Sequence, residues 1–580
     1  MTAVDDPVLT VGRTTRIAAA IDLSNPFTTA RRYRLLWFGV MAVSYTLVGL
    51  FFSYHHGLIM GDALSRVADA RFVMFSRYPH LAAMGFVFTP LTTFVELPLV
   101  AIMNPWPSLL AHAVPAIIVS AMAMSAAVLQ IGGMFRDRRM GRPWIVAICA
   151  LIALHPMTIL YASNGMSEAL FLLMMAICAR GMLRWLGSDD VHDLAMVGLA
   201  LALGLLVRYD ALAVGIGCAV LVAGTTWWRS RHRDARVSSA MAMDVAIVIA
   251  PIATTFFLWS AVSWLTTGEA LAQFTSDYGN SAILSLSGGA GHSAGYRAVF
   301  TLIEWLTLEP LIFVIIGIAI VVAVVRRVPD VLPVFVVYGA VLGFQGLIFL
   351  RGGTFGFLRF AITVIPLAGS LVGLLRPRRG LLFSRRAGPG AVLQGSTYRL
   401  SPARRLWTRV AVLVLLLPAL PVSGWLMMSP SLAPQEYASM VSLLPRAASP
   451  KVQLEAAEQA RTFQTERDLA AYLDSQHLPD GSVVTDSLYG YAVVAASHHP
   501  QQFVIPSDFD FVNVLNDPHE HGVRYLITVP NTGRGTTDAV NLRYPTIYAN
   551  GASVATLELQ FTNSGSSQPN YRLYRVLADG

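Results

Sequence analysis

Runs of about 17 to 25 predominantly apolar residues, each long enough to cross a ~30 Å hydrocarbon core as a helix, recur near 35–54, 108–134, 143–161, 167–186, 192–208, 210–228, 243–265, 309–325, 331–350, 358–375 and 407–427. The pattern predicts a polytopic α-helical membrane protein with about eleven transmembrane helices. The polar segments between the runs differ in kind. Arginine clusters stand at Arg31/Arg32/Arg34, in RDRRMGR (136–142), RSRHRDAR (229–236), Arg326/Arg327 and RPRRGLLFSRRAG (376–388), all on the same side of an eleven-span arrangement. Cytoplasmic loops carry the excess of basic residues, so the N-terminus is expected in the cytoplasm and the C-terminus outside it.

That orientation gives the outer face residues 55–107, the turns SNGMSE (163–168) and RYD (208–210), a loop at 266–308 and RGGTFGFLR (351–359). Within the first of these, IMGDALSRVADARFVMFSRYPH (59–80) is too polar to span. At 100° per residue Asp62, Arg66 and Asp69 share one helical face, and Leu64, Ala68, Phe72 and Phe75 another. An amphipathic helix over 61–76, lying in the membrane interface, is predicted. From 429 onwards the apolar runs stop. An amphipathic stretch (453–475) precedes the strand-like SVVTD, QFVIP, YLITV, ATLELQF and YRLYRV, the pattern of a soluble α/β domain.

Composition sharpens this division. Of 580 residues 55% are hydrophobic and 13% charged, against roughly 25% charged in soluble proteins. The net charge of +8 resides in short clusters between apolar runs, which is loop topology and not a nucleic-acid surface. Cys149, Cys178 and Cys218 all fall inside apolar runs, where they pack as small hydrophobes and imply neither a disulfide nor a metal framework. The first residues lack a signal-peptide pattern, so 1–33 reads as a retained cytoplasmic tail, 34–428 as the bundle with its outer loop 55–107, and 429–580 as an extracytoplasmic domain.

The candidate chemistry lies at the ends of the apolar runs. Glu168 closes SNGMSE, Arg208 and Asp210 flank Tyr209 between two spans, and Arg351 and Arg359 bracket a glycine-rich segment. Ionisable groups at membrane depth are costly unless paired or held in a polar cavity, so these residues, with Asp62, Arg66, Asp69 and His80, are expected to line one outward-facing cavity. The plainer alternative is a set of bundle-stabilising ion pairs, such as Glu168 with Arg208. No nucleotide-binding or zinc motif accompanies them. A lipid-anchored activated donor needs only a carboxylate to take a proton and arginines to hold a departing phosphate. In the soluble tail Asp486, Asp508, Asp510, His519 and His521 read as loop and capping residues.

GDALSRVADA, HPMTILYASNGMSEALF and LALGLLVRYDALAV, in this order and followed by a C-terminal domain containing VVTDSLYGYAVVAASHHPQQFVIPSDFDF, resemble the GT-C class of polyprenyl-phosphate-sugar-dependent glycosyltransferases, and an actinobacterial cell-envelope branch of it. The resemblance implies Asp62 as the catalytic carboxylate and Arg208, Arg351 and Arg359 as donor-phosphate ligands. It implies a bacterial plasma-membrane enzyme moving sugar from a polyprenyl-phosphate lipid to a cell-envelope glycan or glycolipid. The usual adjacent pair of carboxylates is absent, since Ala63 follows Asp62 and Asp69 lies two turns on, so no cofactor or divalent metal is indicated. The competing readings are a transporter or flippase of a lipid-linked sugar and a catalytically silent envelope scaffold. Against transport, no pair of glycine- or proline-broken spans recurs in two halves.

Overall fold

The computed structural model describes residues 26–230, 237–275, 293–375, 382–383, 392–393, 410–443, 449–566 and 568–578. Most of the expected tail 1–33, and most of the basic segments RSRHRDAR and RPRRGLLFSRRAG on which the expected orientation leans, lie outside them.

Each of the eleven apolar runs falls on helix, but they are not eleven equal spans. Among the described residues six helices are long and apolar enough to cross a membrane: Arg31–His56, Val114–Asp137, Glu168–Ser188, Asp210–Arg229, Ser238–Thr267 and Pro329–Leu350. Two helix pairs are long and apolar enough only when taken together and are sharply bent, Arg142–Ala153 with Pro156–Ser163 at 68° and Ala294–Leu308 with Ile312–Arg326 at 81°. Val191–Leu205, Leu358–Leu374 and Val410–Leu426 are apolar but shorter. The expected loop 266–308 therefore needs correction, because its last third is helix Ala294–Leu308. Arg297 and Glu304 lower the hydropathy of that stretch, yet both are buried within the bundle.

The two breaks meet and satisfy one another. A proline at 156 cannot continue the preceding helix, and His155 caps the new one by accepting from Met157 N at 3.3 Å. Its other ring nitrogen then faces the carbonyl of Leu308 at 3.0 Å, freed by the second break. Ser423 Oγ donates to Thr307 O at 2.6 Å from a third helix. Backbone groups released inside a bilayer must find partners in neighbouring helices, and here they do.

The helix Gly61–Phe75 appears where its periodicity places it, with protein packed against both of its faces. Leu64, Arg66, Val67, Arg71, Phe72 and Val73 are all buried, because the helix is held between Leu91–Met103 and Val114–Asp137 of the bundle and Ser487–Ala496 of the C-terminal region. The expectation of a one-sided interfacial helix fails because its second face has a protein partner far away in sequence.

In the C-terminal region all five expected strands form: β1 (Val483–Val484), β2 (Phe503–Val504), β3 (Tyr525–Thr528), β4 (Ala555–Phe561) and β5 (Tyr571–Val576), in the order β2-β1-β3-β5-β4. β1 runs parallel to β2 and β3, and β5 antiparallel to β3 and β4. Strand periodicity sends neighbouring residues to opposite faces. Val483, Phe503 and Ile527 join a core continuous with the bundle, while Val484, Val504 and Leu526 form a second one. The expected amphipathic stretch is two helices, Pro450–Ala460 and Gln464–Ser475, separated at Phe463, whose φ is +59°.

Arg71 fastens the two parts. Its guanidinium donates to the carbonyls of Val494, Ala495 and Ser497 at 2.6, 3.2 and 2.7 Å, closing the C-terminal end of helix Ser487–Ala496, and to Asn104 Oδ1 at 3.0 Å. Burial lowers the Arg71 pKa to about 10, so it stays charged at neutral pH. An unsatisfied buried polar group costs about 1–3 kcal/mol, and Arg71→Met orphans several at once. Amide exchange in Ser487–Ala496 is expected to accelerate by ~10²-fold while Val114–Asp137 keeps its protection. Equal protection in variant and wild type would show that the contact does not hold the two parts together.

Candidate functional site

Three helices begin with a carboxylate in their first turn at one end of the bundle: Asp62 in Gly61–Phe75, Glu168 in Glu168–Ser188 and Asp210 in Asp210–Ser230. The positive end of a helix dipole favours an anion there. Gly165 brings two of these starts together. Its φ is +77°, and a Cβ at this position would stand 3.0 Å from the Cβ of Ala63 and 2.8 Å from that of Ala116. Only glycine accepts that conformation without strain, so SNGMSE turns tightly against Gly61–Phe75. Asn164 Oδ1 and Ser120 Oγ accept the amides of Met166 and Gly165 and fix the turn.

Two arginines lie among these carboxylates. Arg208 Nη1 donates to Glu168 at 2.9 Å and its Nε to Asp210 at 2.8 Å. The amide of Gln345 also donates to Asp210. Arg359 is held more loosely, with Nη1 3.3 Å from Asp62 and Nε 3.8 Å from Glu168. The aromatic ring of Phe360 packs against both guanidinium groups, at 5.5 and 5.1 Å from its centroid. Arg359 Nε and the second oxygen of Glu168 are buried without a hydrogen-bond partner among the described residues. Beside them Tyr161 donates to the buried Glu436 at 2.7 Å.

Asp62, Glu168, Arg208, Asp210 and Arg359 thus form one chain of contacts, and the Glu168–Arg208 ion pair is part of it. Arg66 borders this chain, donating to the carbonyl of Asp62 at 3.1 Å and lying 4.4 Å over the ring of Phe88. The other expected residues stand elsewhere. Arg351 is exposed at the end of helix Leu332–Leu350 and makes no side-chain contact to the cluster. His80 stacks on Phe509 at 4.9 Å, and Tyr209 accepts from Trp259 at 3.2 Å. Asp69 faces the region of Arg66 and the fully buried Glu96.

The two carboxyls of helix Gly61–Phe75 are shifted in opposite directions. Burial opposes ionisation of both. At Asp62 it is outweighed by Arg359 and then Arg66, which hold the carboxyl below its ordinary 3.8. At Asp69 burial prevails over Arg66 and pushes the carboxyl well above the usual range. Gln345, Tyr161 and Glu436 escape sequence reasoning. Gln345 does leave a trace as a single amide in an otherwise apolar span. A cleft with about 280 Å³ of empty space adjoins the cluster, lined in part by Glu304, Trp305, Gln345, Phe349 and Phe360. Among the described residues no three His, Cys, Asp or Glu side chains converge to hold a metal ion. In the tail, Asp486 caps helix Ser487–Ala496, and Asp508 and Asp510 both pair with Arg77.

No protein-family model and no curated protein sequence matches the chain. Solved structures do. The chain is similar to the crystal structure of ArnT from Cupriavidus metallidurans bound to undecaprenyl phosphate, with a TM-score of 0.51 and 13% identity over 94% of this chain and 98% of that one. The polytopic helical bundle with its small C-terminal α/β region is therefore a fold that this chain shares with that structure.

Proposed function

We propose that the chain is a membrane glycosyltransferase that moves a sugar from a polyprenyl-phosphate donor to a cell-envelope glycan or glycolipid outside the cytoplasm. The observation that carries this reading is Arg359, a largely enclosed guanidinium between Asp62 and Glu168 whose buried Nε has no hydrogen-bond partner among the described residues. A planar cation in that state suits two phosphate oxygens. Arg208 is already engaged by two carboxylates at close range, so it supports the site's charge and orients Glu168, and Arg359 is the principal phosphate ligand. Arg351 is left as a peripheral cation at the mouth. The ArnT structure with bound undecaprenyl phosphate has the same fold, which supports a polyprenyl-phosphate donor.

In the reaction an acceptor oxygen bonds to the sugar's anomeric carbon as the bond from that carbon to the phosphate oxygen breaks. The electron pair leaves with polyprenyl phosphate and meets Arg359, while the acceptor proton passes to Asp62. Of the two carboxyls on its helix, Asp62 is held below the usual range by Arg359 and Arg66, whereas burial pushes Asp69 well above it. A weak base suffices, because the acceptor hydroxyl becomes acidic as its oxygen bonds to carbon.

The test is polyprenyl-phosphate binding together with the pH profile of kcat/KM. Arg359→Gln is expected to weaken retention of polyprenyl phosphate in purified protein, measured by mass spectrometry of bound lipid. The same change removes the strongest influence holding the Asp62 carboxyl below its ordinary value, so its pKa rises. Protonation of the base then begins at higher pH. Wild-type kcat/KM should fall only in the acid range below the ordinary 3.8, and the variant's acid limb should move upward. An unmoved limb would remove Asp62 as the titrating base, and undiminished lipid retention would remove Arg359 as a phosphate ligand.

A further inference from the structure

The C-terminal region brings a third arginine towards Asp62. Helix Ser487–Ala496 packs on helix Gly61–Phe75, so closely that the hydroxyl of Tyr491 would lie 3.3 Å from a Cβ on Gly61, the residue before Asp62. Arg534, in the turn Gly533–Thr537, stands with its guanidinium 5.7 Å from the ring centre of Tyr489 on that same helix. It is half-buried, and its side chain makes no hydrogen bond or ion pair among the described residues. Its charge nevertheless acts on both Asp62 and Tyr491.

The turn carrying Arg534 is a fixed structure. Asn541 Nδ2 donates to Val529 O at 3.0 Å and to Gly535 O at 2.8 Å, tying the turn at both sides. A side chain at Gly535 would collide with the carbonyl of Pro530, only 2.1 Å from its Cβ position. Asp486 holds the turn to the tyrosine helix, one oxygen accepting from Leu488 N at 2.6 Å and the other from Ala539 N at 2.5 Å. Arg534, Tyr489 and Tyr491 are thus placed together by backbone contacts while the guanidinium itself is left without a counter-ion. A half-buried cation without a partner is costly, and a rigid one is preorganised to receive an anion.

We propose that Arg534, Tyr489 and Tyr491 form the acceptor subsite, and that the acceptor is a carbohydrate carrying a phosphate or carboxylate close to the hydroxyl that receives the sugar. This rests on the reading of Asp62 as the proton acceptor. The donor phosphate engages Arg359, so the free cation on the C-terminal side of Asp62 meets the other substrate. Arg534 offers its fork to the anionic group. The ring of Tyr489 gives the apolar face of a pyranose a flat surface, and the hydroxyl of Tyr491 donates or accepts beside Asp62.

Saturation-transfer NMR on the full chain in zwitterionic nanodiscs tests this with glucose, glucose 6-phosphate and glucuronate as probes. Saturation is expected to reach at least one of the two anionic sugars and not glucose at equal concentration, and the stronger of the two identifies the acceptor's anion as phosphate or carboxylate. Arg534→Gln should reduce the signal at least fivefold, Arg534→Lys should restore part of it, and Tyr489→Leu should remove saturation from the sugar ring protons. Equal transfer to glucose, or an unchanged signal in Arg534→Gln, overturns the subsite. Retention of polyprenyl phosphate is expected to be the same in Arg534→Gln as in wild type. A loss matching that of Arg359→Gln makes Arg534 a donor ligand and overturns the proposal. If wild type retains no polyprenyl phosphate while Arg534-dependent sugar binding persists, the donor reading fails and the anionic-sugar subsite stands.

Discussion

Asp62→Asn is expected to lower the rate of sugar transfer by ~10²–10⁴-fold, the usual range for loss of a general base, and not to weaken polyprenyl-phosphate retention. The substitution keeps the size of the side chain and its place in the first helical turn. It removes the one carboxylate of helix Gly61–Phe75 that its surroundings hold ionised. Asp69 is poorly placed to take over, because burial pushes its carboxyl well above the usual range and it lies two turns further along the helix. Glu168 cannot readily do so either, since it is committed to Arg208 at 2.9 Å. Single-turnover assays with a labelled donor lipid separate the chemical step from binding. Near-normal turnover in Asp62→Asn, Asp69→Asn and Glu168→Gln alike would leave a lipid-binding or transport protein with this fold.

Much of this cluster is legible from where charges fall relative to apolar runs. Asp62 and Arg359 are 297 positions apart in sequence and 3.3 Å apart in space, yet each adjoins the end of an apolar run, as Glu168, Arg208 and Asp210 do. An isolated charge at such a place has few affordable positions except beside another. Arg351 follows the same pattern and fails, because RGGTFGFLR is long enough for its first residue to remain in the open while its last turns inward. His80 and Tyr209 find aromatic partners outside the cluster for a similar reason.

Contacts that depend on how the C-terminal region docks leave no such trace. Arg71 reads as one more charge on an amphipathic helix, and only the carbonyls of Val494, Ala495 and Ser497 explain its burial. Glu436 and Tyr161 pair across 275 positions. Arg534 lies in a polar turn whose sequence differs little from any surface loop. Periodicity reports which face of an element is buried, and not which distant element covers it. The strands of the α/β region are legible one by one because alternation is local. Their order is not, because β1 lies between β2 and β3 while β5 lies between β3 and β4.

Glu168→Gln is expected to destabilise the protein and to strengthen its hold on polyprenyl phosphate. Glu168 is 2% exposed and its carboxylate faces both Arg208 and Arg359. Glutamine preserves the shape and one acceptor for Arg208 but removes the charge, leaving two enclosed guanidinium groups with Asp62 and Asp210 alone. Removing one partner of a buried ion pair typically costs about 3–5 kcal/mol, so a clear fall in Tm is expected without ligand. A lipid phosphate entering the same space supplies the missing negative charge. Binding at a hundred times Kd stabilises by about 2.7 kcal/mol, and the tighter binding of the variant should make its rise in Tm at a fixed lipid concentration exceed that of wild type. A purely structural ion pair predicts the first effect without the second. If Glu168→Gln loses stability and polyprenyl phosphate raises its Tm no more than that of wild type, Glu168 and its arginines hold the bundle together and the donor phosphate binds elsewhere. A larger rise would place the phosphate among Arg208 and Arg359, where three helix N-termini and two arginines already favour an anion.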